Sequence, residues 1–224
     1  MCKQGLVTRK WIRTLIIMFM CVMGLVCCNS RLVFAEETAD GFEYSVLEDE
    51  TVEITGYKGE ATELVIPGKI DGKVVTSIGK SAFSGCSGLT SIEIPKSVTS
   101  IEAYTFSGCR GLTSIEIPES VKSIGYDAFA NCSSLNSIVF PEGEVTVGER
   151  AFIYCSGLVS VTVSENVNLT TLGDVFYGCD KLERVEINCE NVDDWFRSNE
   201  TIKEVVLGEQ VVTIGEDAFW RCAN

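Results

Sequence analysis

The sequence predicts a solenoid: short parallel β-strands stacked one per repeat of about 23 residues, mostly β or α/β, with short helical or 3-10 turns on the far side. Three observations carry this. Leu89, Leu112, Leu135 and Leu158 recur every 23 residues, and Leu182 follows 24 later. Phe83, Phe106, Phe129, Phe152 and Phe176 keep the same steps, as do Cys86, Cys109, Cys132, Cys155 and Cys179; Phe219 and Cys222 return in a last copy. Pro67, Pro95, Pro118 and Pro141, the only four prolines, share one register.

In chain order, residues 1–35 come first. They hold five bases and no acid, and the apolar run Leu15 to Cys28 is 14 residues long. That is short for a bilayer span and right for a signal peptide, with Val33-Phe34-Ala35 as the cleavage site. The alternative is an uncleaved anchor, the one route by which the chain would meet a membrane. Cleavage would leave 189 residues with seven Cys, and a net charge of −19 where the full chain has −14.

Residues 36–60 are acidic and weakly patterned. Thr51-Val52-Glu53-Ile54 alternates ahead of Gly56, which reads as a capping strand or hairpin. Residues 61–224 form the array, with about seven strand starts near Ala61, Leu89, Leu112, Leu135, Leu158, Leu182 and Ile202.

Within a repeat, Ile92 and Ile94 face one way and Ser91 and Glu93 the other, giving a short strand with one buried side. Pro95 cannot donate to a ladder and ends it. Val98 and Ile101 turn inward again. Gly79, Gly125, Gly148, Gly173 and Gly215 are expected to supply a tight bend. Ala-Phe and its copies then fill the far side in a short helical turn, and Cys closes the coil as a small apolar residue. No single coil buries its own apolar face, so neighbours must stack.

Two stretches depart from the pattern. Leu182 to Ile202 is only 20 residues, and Val192-Asp193-Asp194-Trp195-Phe196 replaces the usual block. Burial of Trp195 and Phe196 in the space of Phe and Cys is favoured over an exposed binding Trp. At the other departure, the sequence closes on Cys222-Ala223-Asn224 with no evident polar cap, so the expectation is that the chain continues in nature or that a partner or self-association covers the bare solenoid end.

The pattern resembles the leucine-rich repeat, and more specifically the BspA-like class. The residues that carry the resemblance are Ile117-Pro118, Ile124-Gly125-Tyr126-Asp127-Ala128-Phe129 and Cys132-Ser133-Ser134-Leu135, recurring in register over residues 52–224. The fold expected is therefore a leucine-rich repeat solenoid. The resemblance implies a secreted or cell-surface bacterial protein that mediates adhesion or protein binding.

Composition argues against other classes. The chain has no His, which removes the usual general base and most zinc sites. Its acidity argues against nucleic acid. No catalytic motif, metal set or cofactor loop appears, so no enzyme, metal or cofactor is expected. The Cys register reads as buried thiols, because stacked positions hold parallel Cα–Cβ vectors that suit a disulfide poorly. The sequons at Asn131, Asn168 and Asn199 read as coincidence.

The exposed strand face is the candidate protein-binding surface. One column is Ser91, Ser114, Ser137, Ser160 and Arg184; the next is Glu93, Glu116, Val139, Thr162 and Glu186. The partner expected is an extracellular or host-surface protein. The alternative reading is a structural spacer, or a scaffold that self-associates through its uncapped C-terminal end.

Overall fold

The computed structural model describes residues 36–165, 167–168 and 174–222. The predicted signal segment, Gly173 and the Ala223-Asn224 terminus lie outside the described residues. No helix among the described residues is long and apolar enough to cross a membrane.

From Ala35 onward the chain is one compact unit. It is a parallel-strand solenoid of about seven turns, matching the predicted class. At its N-terminal end Phe42–Val46 pairs antiparallel with Val52–Tyr57, and Val52–Tyr57 then pairs parallel with Lys73–Ile78. Each coil contributes to two ladders. The first runs Glu63–Val65, Ser91–Glu93, Ser114–Ile115 and then Ser137–Phe140, Ser160–Val163, Arg184–Ile187, Glu204–Leu207. Ser114–Ile115 and Ser137–Phe140 are not paired as strands, and the Asn136 N–H donated to the Thr113 carbonyl (3.2 Å) carries the stack across that break.

The second ladder lies where only an inward turn is visible in the sequence. It runs through Lys73–Ile78, Ser100–Ile101, Ser123–Ile124 and Val145–Val147 in strict register. Ser100 donates to Ser77 across it (3.0 Å).

The core fills the space between the ladders and the far side. Leu89, Leu112, Leu135, Leu158 and Leu182 are all buried, together with Phe83 through Phe196. The Phe rings stack face to face along the axis: 83 on 106 at 5.3 Å, 106 on 129 at 5.1 Å, 129 on 152 at 4.9 Å, 176 on 196 at 5.2 Å. Tyr57 meets the first of them at 5.8 Å.

The far side is turn rather than helix among the described residues, a correction to the helical expectation. Hydrogen bonding explains it. The N–H groups of Ala82, Ser84 and Cys86 bond back to Gly79, Ser81 and Phe83 within the coil, while those of Ser81, Phe83 and Gly85 reach Ala103, Thr105 and Ser107 of the next coil. Alternate amides thus serve local turns and the stack, which leaves none for a helical i→i−4 run. Gly79-Lys80-Ser81-Ala82 and Phe83-Ser84-Gly85-Cys86 are type II turns, with positive φ at the third residue (Ser81 59°, Gly85 76°).

The bend glycines also need correcting. Gly79, Gly125, Gly148 and Gly215 are not in the left-handed region. Gly125 is required by close approach instead: a Cβ there would sit 2.5 Å from the Ala103 nitrogen of the coil below. Left-handed backbone falls instead two residues before the Phe of each of five coils, at Ser81, Tyr104, Asp127, Arg150 and Asp174.

Candidate functional site

The residues singled out on the strand face are brought into two adjacent columns. Ser91 pairs with Ser114, Ser137 with Ser160, Ser160 with Arg184; Val139 pairs with Thr162, and Thr162 with Glu186. Period-two alternation forces this, since the intervening Ile92, Ile138, Val161 and Val185 are buried. Glu93, Ser114, Glu116, Val139 and Arg184 are exposed, and Ser91, Ser137, Ser160, Thr162 and Glu186 are half-buried.

The two ends of this face differ electrostatically. At the C-terminal end the charges neutralise one another: Arg184 is hydrogen-bonded to Glu204 and lies 3.9 Å from Glu186, and Lys203 pairs with Glu183 at 2.6 Å. Toward the N-terminal end Glu93 and Glu116 stand at equivalent positions of neighbouring coils, Glu93 ending its strand and Glu116 just past the end of Ser114–Ile115, and make no ion pair or side-chain hydrogen bond among the described residues. An acidic, unneutralised patch therefore sits on a floor of serine hydroxyls.

The Cys column is interior. Every thiol of the column after Cys86 donates to the Phe carbonyl of the coil below: Cys109 to Phe83 (3.1 Å), Cys132 to Phe106 (3.2 Å), Cys155 to Phe129 (3.1 Å), Cys179 to Phe152 (3.4 Å), Cys222 to Phe196 (3.2 Å). All seven described Cys are free thiols. Burial pushes Cys179 up to about 12 and Cys189 to about 11, and raises Cys86, so the thiol rather than the thiolate is the form held. Among the described residues no cluster of His, Cys, Asp and Glu is arranged to hold a metal ion.

The irregular coil is resolved in favour of burial. Trp195 is 2% exposed and occupies the Ala register, while Phe196 joins the Phe stack. The Cys position, however, is taken by Asn199 and not by either aromatic. Its amide donates to the Cys179 carbonyl (3.3 Å), and its carbonyl oxygen accepts from the Thr201 N–H (3.2 Å) and hydroxyl (2.9 Å). That sequon Asn is buried and fully engaged.

One set of surface residues escapes the sequence reading. Tyr154, Tyr177 and Trp220 are exposed on the turn side, and Tyr154 and Tyr177 meet edge to face at 5.8 Å. Arg197 and Arg221 lie over Trp220 at 4.8 and 4.4 Å. Between the turns of four coils lies a cleft of about 350 Å³, lined by Arg110, Asn131, Ser133, Tyr154, Ser156, Gly178 and Asp180. The available signal was register: Tyr154 stands where Gly85, Gly108, Asn131 and Gly178 stand.

Known proteins share these features. The chain matches the pattern of the BspA type leucine rich repeat region in six copies, over residues 76–195 and 117–224. No curated protein matches it. The structure is similar to the crystal structure of a leucine rich repeat protein of T. pallidum, at 32% identity and a TM-score of 0.70, covering 80% of this chain and 86% of that one. It is also similar to a leucine rich cell surface protein of Faecalibacterium prausnitzii A2-165, at 25% identity and a TM-score of 0.60 over 87% of this chain; this chain spans 53% of that protein. A leucine-rich repeat protein of Eubacterium ventriosum shares the fold, with a TM-score of 0.63 at 24% identity. With the Phe, Cys and Leu columns in place, the chain belongs to the BspA-type leucine-rich repeat family.

Proposed function

We propose that the protein is an extracellular, surface-displayed binding module that engages another protein through the strand face. The observation that supports this most directly is the pair of unneutralised acids, Glu93 and Glu116, on a flat serine-rich ladder. A regular ladder presents repeated groups at about 4.8 Å intervals, which suits a broad, shallow contact. The partner that fits is an extracellular or host-surface protein with a basic patch. The description of the F. prausnitzii relative as a cell surface protein supports the location.

The test is surface plasmon resonance of the chain against purified extracellular-matrix proteins. Micromolar binding that falls about tenfold in Glu93→Lys/Glu116→Lys supports the reading. Wild-type protein that binds none of them at micromolar concentration, or a double variant that binds equally well, defeats it.

A further inference from the structure

The cleft on the turn side is built from two registers that flank the Cys column. Asn131, Tyr154 and Gly178 immediately precede Cys132, Cys155 and Cys179; Arg110, Ser133, Ser156 and Asp180 immediately follow Cys109, Cys132, Cys155 and Cys179. From Arg110 to Asp180 is three coil steps, about 15 Å at the spacing of stacked strands.

Two features mark this place. The first is pre-organisation. The Tyr154 ring lies on Gly178, where any Cβ would come within 2.3 Å of Cδ1, and its edge is fixed by Tyr177. The ring is still 47% exposed, so a flat apolar surface is held open. The second is unused polarity. The side chains of Arg110, Asn131, Ser133, Ser156 and Asp180 make no hydrogen bond or ion pair among the described residues. Elsewhere the hydroxyls of Ser97, Ser120 and Thr113 are tied to carbonyls of neighbouring coils.

We infer that this cleft binds a short neutral oligosaccharide, with the pyranose C–H face stacked on Tyr154 and the ring hydroxyls taken by Asn131, Asp180, Arg110 and the two serines. Amide, carboxylate and guanidinium groups offer the paired donors and acceptors that vicinal hydroxyls need. Arg110 and Asp180 cancel in charge, which favours a neutral ligand over an anion. An extended peptide is the poorer fit. The Asn131 and Tyr154 N–H groups are already spent on Ile153 and Tyr177, so neither can pair with an added strand.

The site shares no residue with the strand face, so each reading stands or falls alone. The experiment titrates the full chain with maltotriose, cellotriose and triacetylchitotriose, followed by NMR. Wild type is expected to bind at least one with a Kd on the order of 1 mM. Tyr154→Gly restores the residue that three other coils use, and should weaken binding by about tenfold or more. Asn131→Gly, equally compatible with its turn, should weaken it as well, while Glu93→Lys should not. The inference is overturned if none of the three sugars binds, if both cleft variants bind as wild type does, or if a (Gly-Ser)3 peptide binds as tightly as the best sugar.

Discussion

The stacked phenylalanines make the interior of the solenoid sensitive and its last coil tolerant. Phe129 is fully buried, with Phe106 at 5.1 Å on one face and Phe152 at 4.9 Å on the other. Phe129→Ala removes a whole buried ring and leaves a cavity between two planes that the backbone ladders prevent from closing. A Phe→Ala change of this kind costs 3–5 kcal/mol, and two lost stacks place it at about 4. Phe219 is half-buried and stacks on one side only, against Phe196 at 5.8 Å. Phe219→Ala should therefore cost about 1.5 kcal/mol. Urea denaturation read by far-UV circular dichroism and by tryptophan fluorescence measures both. Trp195 and Trp220 report the C-terminal coils, so in Phe129→Ala the two signals should also separate as the coupling between halves weakens. Equal costs for the two variants, within about 0.5 kcal/mol, would refute nearest-neighbour stacking as the source of stability.

Other outcomes follow from the same structure. Denatured, unreduced protein lacking residues 1–35 should titrate as seven free thiols, and fewer would show that the Cys column crosslinks. Because burial raises Cys179 to about 12 and Cys189 to about 11 from 9.0, the native state holds protons that the unfolded chain releases. Stability should be full below the ordinary thiol range and decline as pH rises through the raised values, with a shallower decline in Cys179→Ala; equal slopes would refute the assignment. Asn199→Ala should cost about 2 kcal/mol in a thermal or urea melt, by stranding the buried Cys179 carbonyl and losing two bonds to Thr201. Gly125→Ala should destabilise by more than any exposed Gly→Ala, for its Cβ would collide with backbone at Ala103 and Glu102.

Positions that obey a single rule per coil were legible from the sequence. Leu at the strand start, Phe on the far side and Cys at the closure each bury one side chain in one way, and recurrence averages out local noise. Features that depend on backbone routing were harder to read. The second ladder is only two residues wide at Ser100–Ile101, too short for alternation to show. The turn block looked helical because Ala-Phe-x-x-Cys has an i, i+3 spacing that a helix and a pair of type II turns share. Gly125 drew attention as a bend when its role is close approach, and the left-handed positions hide behind Ser81, Tyr104 and Arg150, which carry no compositional flag. Asn199 replaced Cys in a shortened repeat, where counting from Leu182 no longer held register.

The routing of amides on the turn side has an electrical consequence. In five coils the stack-directed N–H groups of the turn block point the same way, from Phe83 to Thr105, from Phe106 to Ala128, from Phe129 to Ala151, from Tyr154 to Tyr177 and from Ser198 to Trp220. Strand ladders donate in both directions and nearly cancel. The turn side does not cancel, so its peptide dipoles add along the axis as they do in an α-helix, with the positive pole toward the later coils. The solenoid is therefore polar from end to end as well as acidic overall. A partner approaching along the axis meets a different field at each end, and that difference will fade as salt is raised.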